Sequence, residues 1–208
     1  MSDAESNRRP IQARSAFWAQ RAASYLAATN ISPDQISVAS IFFALGGAIF
    51  LLSGPSLVGL LGTAIAIQAR LLCNLLDGMV AVEGGKKSQL GQIYNEFPDR
   101  VADSLLIVAS GYAIGLPALG WFGALAAALT AYIRVFGGSL GLQQNFMGPM
   151  AKQHRMATIT AGCLLSSIEQ FVNETLYALA VAVAVVGIGS VVTCFTRTRA
   201  IARHLQTS

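Results

Sequence analysis

The residues best suited to chemistry form a group of acidic, amide and small side chains between two long apolar runs. In chain order they are Asn74, Asp77, Gly78, Ala81, Gly91, Asp99 and Asp103. Asp99 and Asp103 are one helical turn apart, so on a helix they share a face. Carboxylate and amide oxygens are ligands that Mg²⁺ and Mn²⁺ prefer, and such ions often bridge to phosphates. The pattern therefore predicts divalent ions held for phosphate chemistry.

The end of the first apolar run predicts a helix with one polar face. At about 100° per residue, this face gathers Arg70, Asn74, Asp77 and Ala81. The opposite face is aliphatic and is expected to meet lipid: Leu71, Leu72, Leu75 and Leu76. Gly78 and Ala81 remove bulk beside the carboxylate, which would admit either a flat ligand or the backbone of a closely packed helix.

A second helix is predicted to begin near Pro98, because proline is well tolerated at the first helical position. It would carry Asp99 and Asp103 on one face. If the two helices pack antiparallel, their acidic faces meet at the same end of the bundle. Carboxylates so close to hydrocarbon need counter-ions, which Arg70 and Arg100 could supply. A structural ion-pair network is therefore the alternative to a metal site.

The composition predicts a membrane protein. Of the 208 residues, 54% are hydrophobic and only 12% are charged, which is too apolar for an ordinary soluble domain. Six segments approach the roughly 20 residues that cross a bilayer core: 37–52, 57–76, 101–117, 119–136, 156–168 and 176–195. The short gaps between them favour an antiparallel all-α bundle, a polytopic membrane protein with six transmembrane helices.

The distribution of basic residues argues against a soluble helical protein and predicts the orientation. The predicted outer turns contain no Lys or Arg; they are Ser53–Ser56, Leu116–Gly120 and Glu169–Thr175. This positive-inside pattern predicts that both termini and the acidic cluster are cytoplasmic, with the bacterial inner membrane as the expected location. The net charge of +4 then serves topology and anionic lipid headgroups, and no nucleic-acid partner is expected.

Three regions are predicted along the chain. Residues 1–36 form a cytoplasmic arm, 37–196 the six-helix catalytic domain, and 197–208 a basic cytoplasmic tail. The pattern between Ile11 and Ala28 favours an amphipathic helix in the headgroup region, or one that packs on the protein's own cytoplasmic face. Ser32 can cap the next helix, with Pro33 as its first residue.

The acidic cluster resembles the signature of the CDP-alcohol phosphotransferase family, whose members join a CDP-activated group to an alcohol in phospholipid synthesis. That signature reads Asp, two residues, Asp-Gly, two residues, Ala-Arg, a spacer, Gly, three residues, Asp, three residues, Asp. The matching positions are Asp77, Gly78, Ala81, Asp99 and Asp103. The six-span layout and the Ser-Pro-Asp sequence at 32–34 are also typical, so the resemblance covers nearly the whole chain.

Two substitutions indicate a divergent branch of the family. Asn74 replaces the first Asp, and it can ligate a metal through its carbonyl oxygen but brings no charge. Val82 replaces the Arg, so the contact made by that arginine must come from elsewhere, such as Lys86 or Lys87.

The glycine of the signature allows two registers. Gly91 stands four residues too early if the last two acids are Asp99 and Asp103, the register preferred because it keeps both acids. In the alternative register Gly91, Asn95 and Asp99 hold the family spacing, and Asp103 is an extra acid.

The resemblance implies a metal-dependent site. Two divalent ions, Mg²⁺ or Mn²⁺, would bind the donor diphosphate on four side chains: Asn74, Asp77, Asp99 and Asp103. Asp103, last in the motif, would take the proton from the acceptor hydroxyl. Gly78 and Ala81 would line the cytidine side, and Lys86 would contact donor phosphates or lipid. The phosphate of a phosphorylated acceptor would meet basic residues that topology alone also explains: Arg134, Lys152 and Arg155.

The implied reaction is transfer of a phosphatidyl group from CDP-diacylglycerol to a small polar alcohol or alcohol phosphate, with release of CMP. Transfer of a phospho-alcohol from another CDP-linked donor, a CDP-alcohol, to diacylglycerol is the related alternative. A transporter could also use intramembrane acids, but near the bilayer midplane and in repeated halves. An inactive scaffold is a third option. A homodimer is expected from the resemblance alone.

Overall fold

The computed structural model describes residues 16–86, 88–143 and 145–207, and in these ranges the chain is helical, without a strand. Within them, seven helices follow one another: α1 Phe17–Ala27, α2 Pro33–Leu52, α3 Leu57–Glu83, α4 Gly91–Ala113, α5 Pro117–Ser139, α6 Lys152–Asn173 and α7 Tyr177–Thr207. The predicted all-α class is confirmed. Residues 11–15 of the predicted arm helix lie outside the described ranges.

Four of the described helices are long and apolar enough to cross a membrane: Pro33–Leu52, Leu57–Glu83, Pro117–Ser139 and Tyr177–Gln206. Large apolar side chains on them remain exposed, among them Phe42, Ile65 and Leu125, as lipid-facing residues would be. The chain is therefore an integral membrane protein. Helices α4 and α6 correspond to the third and fifth predicted spans, and their crossing of the bilayer stays a prediction. Helix α7 continues past residue 197, where a separate tail was predicted.

The start of α2 agrees with its sequence. The Ser32 hydroxyl accepts a hydrogen bond from the Gln35 amide at 3.2 Å, and the Gln35 side chain accepts one from the Ser32 amide at 3.0 Å. Pro33 is the first helical residue. This reciprocal capping box satisfies two of the amides that a helix start leaves without partners, so the predicted cap is confirmed.

The start of α4 differs from the prediction. The helix begins at Gly91, and Pro98 lies inside it. Proline cannot donate a backbone hydrogen bond, which is why it was expected to mark a helix start. Here about two turns of helix precede it, and Pro98 itself is buried, so packing outweighs the loss of one hydrogen bond. As a consequence Asp99 and Asp103 lie in the middle of a helix rather than in its first turn.

Helix α1 covers the carboxyl-terminal part of α3. Its Ala19 and Ala23 are fully buried and form a cluster with Leu75 and Leu76. The prediction that these two leucines meet lipid is therefore wrong, because α1 packs over them. The large residues of α1, including Phe17, remain exposed.

Close helix packing brings the elements of the site together. Helix α3 contacts α2 and α6, while α4 packs between α2 and α5. Where α4 and α5 cross, Gly111 and Gly120 face each other, and a Cβ added at Gly111 would lie 2.5 Å from the Gly120 Cα. Such small residues let membrane helices approach closely. The central core contains Leu60, Ile67, Leu106, Ile107, Met156 and Ile159.

Candidate active site

Acidic and basic side chains of three helices converge at the end of the bundle where α6 begins. Helix α3 provides Arg70 and Asp77, α4 provides Asp99 and Asp103, and the first turn of α6 provides Lys152 and Arg155. The three acids and both arginines are almost completely shielded from solvent. The predicted meeting of the acidic faces of α3 and α4 is thus observed. We call these residues the charge cluster: Arg70, Asp77, Asp99, Asp103, Lys152 and Arg155.

Asp103 is held between two buried arginines. Its Oδ1 lies 2.7 Å from Arg70 Nη2, and its Oδ2 accepts hydrogen bonds from Arg155 Nη2 at 2.7 Å and Nε at 3.2 Å. Arg155 also donates to the Thr130 hydroxyl at 3.2 Å and the Met150 carbonyl at 2.9 Å. Asp103 Oδ2 is therefore hydrogen-bonded to Arg155, which is itself anchored by α5 and by the loop before α6. Asp103 Oδ1 forms an ion pair with Arg70 but has no hydrogen-bond partner among the described residues.

Asp99 forms looser contacts with more partners. Its Oδ2 pairs with Lys152 Nζ and lies 3.9 Å from Arg100 Nη2. Its Oδ1 lies 3.4 Å from Arg70 Nη2. Lys152 is the only one of these three bases that contacts Asp99 at close hydrogen-bonding distance, and its side chain can rotate about several bonds. The Asp99 carboxylate can therefore change partners more readily than that of Asp103.

Asp77, on α3, is the acid of the charge cluster that contacts α2. The Ser37 hydroxyl of α2 donates a hydrogen bond of 2.6 Å to Asp77 Oδ2. The charges of Lys152 and Asp99 both act on the Asp77 carboxylate, so these groups lie within electrostatic range of it. Lys152 therefore pairs with Asp99 and acts on Asp77 through its charge alone.

The small and amide residues predicted for the site lie on the same helix as Arg70 and Asp77 and are less buried than these two. Asn74, Gly78 and Ala81 are all half-buried on α3, with Asn74 one turn from Arg70. The Asn74 Nδ2 has no hydrogen-bond partner among the described residues. The polar face predicted for α3 therefore points into the bundle.

The predicted two-ion arrangement does not fit these contacts. Among the described residues, no three His, Cys, Asp or Glu side chains converge as a metal-binding group. The oxygens of Asp99 and Asp103 face basic nitrogen atoms instead, and Asn74 adds no charge. The ion-pair network that the sequence left open describes both of these acids, because arginine and lysine already provide the positive charge that buried carboxylates require.

Two of the predicted phosphate-binding residues have other partners. Lys86 Nζ donates to the backbone carbonyls of Thr29 and Ile31, which ties the loop after α3 to the linker between α1 and α2. Arg134 pairs with Glu96, and its guanidinium lies 5.2 Å from the Phe146 ring centroid. Lys87 lies outside the described residues.

Arg134 also lines a cavity between α5 and α7. The cavity measures about 350 Å³, and its polar lining includes Arg134, Gln143, Asn145, Arg197 and His204. Lys152 and Arg155 do not line it, since both belong to the charge cluster. The three basic residues predicted to hold an acceptor phosphate therefore divide between two places.

The sequence named Arg70 as a counter-ion for the acids, and Arg70 does contact both Asp99 and Asp103. The sequence did not indicate Ser37. No local signal marked Ser37, because a serine one turn inside a helix usually bonds its own backbone.

Comparisons with known proteins identify the family and the fold that this chain shares. The model of the CDP-alcohol phosphatidyltransferase family matches residues 30–196. The fold is similar to that of phosphatidylinositol phosphate synthase PgsA1 of Mycobacterium tuberculosis crystallised with CDP-DAG bound, at 20% identity over 89% of this chain and 94% of that one, with a TM-score of 0.74. The same protein with manganese and citrate gives 19% identity, 88% of each chain and a TM-score of 0.74. No curated protein sequence matches significantly.

The match to the family model covers most of the chain. It agrees with the resemblance carried by Asp77, Gly78 and Ala81, and the prediction of a phosphotransferase of phospholipid synthesis is confirmed. The structural likeness, at about a fifth identity, shows the shared fold. The chain belongs to the CDP-alcohol phosphatidyltransferase family.

Proposed function

We propose that the chain transfers a phosphatidyl group from CDP-diacylglycerol to a small polar alcohol or its phosphate, and that CMP is released. The observation that carries this proposal is the ion pair of Lys152 with Asp99, within electrostatic range of Asp77 at the same end of the bundle. A cation there can bind the donor diphosphate, and a carboxylate beside it can accept a proton. An acidic and basic pair of this kind suits attack of an alcohol on phosphorus.

The reaction needs one bond to form and one to break. The acceptor oxygen bonds to the phosphorus of the phosphatidyl group, and the bond from that phosphorus to the oxygen of CMP breaks. CMP departs with the electron pair, and the acceptor proton passes to a carboxylate. When Lys152 turns towards the diphosphate, the Asp99 carboxylate becomes available for this proton.

Asp99 suits the role of base better than Asp103, although the preferred register gave that role to Asp103. Both oxygens of Asp103 are bound by arginines, and removing these contacts in a buried site is costly. In the alternative register Asp99 is the last acid of the motif, and it is Asp99 whose charge acts on Asp77. We therefore assign proton acceptance to Asp99 and the cytidine side to Gly78 and Ala81.

CDP-diacylglycerol is preferred as donor because a protein of the same fold, PgsA1, has been crystallised with CDP-DAG bound. The cavity beside Arg134 is proposed as the acceptor site, since its arginines and amides suit a polar or phosphorylated alcohol. Transfer of a phospho-alcohol from a CDP-alcohol to diacylglycerol remains the enzymatic alternative.

We further propose that α4 and α6 cross the bilayer together with the four apolar helices, which makes six spans around one catalytic domain. Their charged inner ends would lie in the cytoplasm, with both termini, as the positive-inside pattern predicts. The exposed Phe17, Trp18 and Tyr25 of α1 suit the headgroup region of a bacterial inner membrane. A homodimer, proposed from the family alone, would leave the charge cluster within each chain.

One assay tests the reaction. Purified protein in detergent is given labelled CDP-diacylglycerol, Mg²⁺ or Mn²⁺ and a panel of alcohols and alcohol phosphates, and CMP release is measured. We expect release with at least one acceptor and its loss in Asp77→Asn. Glu174→Gln, which alters an exposed acid after α6 at the opposite end of that helix from Lys152, is the matched control. Acceptor-dependent release that survives Asp77→Asn, or no release with any acceptor, contradicts the proposal.

A further inference from the structure

We infer that Asp103 and its two arginines take the place of one metal ion, so that the site binds no more than one divalent ion where the resemblance implied two. This inference rests on the proposed function, because it concerns the same site. It starts from the mismatch between the predicted ligands and the observed contacts.

The geometry around Asp103 disfavours a metal ion at this carboxylate. A magnesium ion requires about six oxygen ligands at close to 2.1 Å. Asp103 directs Oδ1 towards Arg70 and Oδ2 towards Arg155, each with a nitrogen at 2.7 Å. Its side chain is 4% exposed, so water cannot readily replace an arginine. A metal ion at Oδ2 would have to break the hydrogen bonds from Arg155, and an ion at Oδ1, which accepts no hydrogen bond, would be repelled by the Arg70 guanidinium at 2.7 Å.

The charge of the cluster, counted together with its neighbour Arg100, also disfavours a second metal ion. The acids contribute three negative charges, from Asp77, Asp99 and Asp103. The bases contribute four positive charges, from Arg70, Arg100, Lys152 and Arg155. The site is therefore slightly positive before any substrate or ion binds.

The donor changes this balance by a known amount. Its diphosphate carries about one negative charge per phosphate, so the occupied cluster becomes negative by about one charge. One divalent ion reverses that to a small positive charge, whereas a second would leave the buried site strongly positive. Uncompensated charge at the edge of hydrocarbon is strongly disfavoured. The arginines that hold Asp103 thus make a second ion unnecessary and unfavourable.

The oxygen ligands that remain without Asp103 also suit fewer than two divalent ions. Without Asp103, the predicted set retains Asn74, Asp77 and Asp99, of which only two are charged. In the alternative register the next position is Asn95, which is exposed and one turn before Asp99. In that register two amides stand where the family signature has acids, and each change removes one negative charge from the ligands that could hold an ion.

The test counts bound ions directly. Purified wild-type protein in detergent is titrated with Mn²⁺, and free Mn²⁺ is followed by electron paramagnetic resonance. We expect no more than one ion per chain, and no change in that number in Asp103→Asn. Two ions per wild-type chain, or loss of an ion in Asp103→Asn, would overturn the inference.

A gain-of-binding variant keeps the test decisive if Asp103→Asn does not fold. Asn74→Asp combined with Asn95→Asp restores two acids at the family positions, and we expect it to bind one more Mn²⁺ per chain than wild type. Asn173→Asp, an added acid at the far end of α6, is the control and should add none. If the double variant binds no additional ion, the inference that charge limits the number of bound ions is wrong. CMP release, measured in parallel, shows separately whether the proposed function holds.

Discussion

Ser37 donates a hydrogen bond of 2.6 Å to Asp77 Oδ2, across the contact between α2 and α3. Both side chains are buried, and a hydrogen bond to a charged group contributes about 1.5–3 kcal/mol. The serine lies one turn after the Ser32 cap, so the start of α2 fixes its position. Ser37 is therefore a positioning residue that holds the Asp77 carboxylate in one orientation.

We expect Ser37→Ala to lower kcat for CMP release by at least about tenfold, in line with loss of a hydrogen bond worth about 1.5 kcal/mol or more. The KM for the donor should change less, because the serine acts through Asp77 and not on the substrate. Ser40→Ala is the control, since the Ser40 hydroxyl donates only to a backbone carbonyl, that of Ser37. Equal losses in the two variants would show that Ser37 serves helix stability alone.

Asp99 and Asp103 should respond differently to removal of their charge. We expect Asp99→Asn to lower kcat by at least about 10²-fold, the contribution typical of a general base, with a smaller loss of stability than Asp103→Asn, because its close partner Lys152 is partly exposed. Asp103→Asn should lower stability by about 3 kcal/mol, because it leaves buried arginines without a carboxylate.

Unfolding in detergent and CMP release, measured on both variants, separate the two roles. Glu174→Gln provides the baseline for loss of an exposed carboxylate. If Asp103→Asn unfolds like wild type while losing all activity, and Asp99→Asn remains active, the assignment of the base returns to Asp103.

Features that depend on residues close together in the chain could be predicted from the sequence. The Ser32 cap, the helices of the four apolar spans and the polar face of α3 all follow from local rules. The predicted start of α4 was wrong, because burial of Pro98 outweighs the preference of proline for the first position of a helix. The prediction that Leu75 faces lipid was also wrong, because α1 covers this side chain.

The pairing within the site could not be predicted, for a physical reason. Arg155 and Asp103 lie on different helices, 52 residues apart in sequence. The choice between a metal ion and an arginine as partner of Asp103 depends on how α3, α4 and α6 pack. The sequence supplied the candidates, and only the packed bundle distinguishes them.

The contact between α4 and α5 should be sensitive to a single methyl group. We expect Gly111→Ala to lower stability by about 1–3 kcal/mol, the usual cost of overpacking, because the added Cβ would meet the Gly120 Cα at 2.5 Å. Gly46→Ala is the matched control in a helix, since a Cβ there has nothing within 4 Å. Thermal unfolding in detergent measures both. A Gly111→Ala protein as stable as Gly46→Ala would mean that the helices separate at no cost.

The pair formed by Arg70 and Asp103 should show strong coupling in a double-mutant cycle. Arg70 is fully buried, and its closest acidic contact is Asp103 Oδ1 at 2.7 Å. We expect Arg70→Gln and Asp103→Asn to destabilise the protein separately, and together by about 2 kcal/mol less than the sum, since each change alone strands a buried charge.

The pair of Arg100 and Glu96 gives the control cycle, because its closest atoms are 4.0 Å apart and both side chains are partly exposed. Exposed pairs one turn apart contribute about 0.5 kcal/mol or less, so the coupling there should be small. Denaturant unfolding in detergent gives all the required free energies. Equal coupling in the two cycles would mean that water reaches Arg70, in which case the arginine could not act as a permanent substitute for a metal ion.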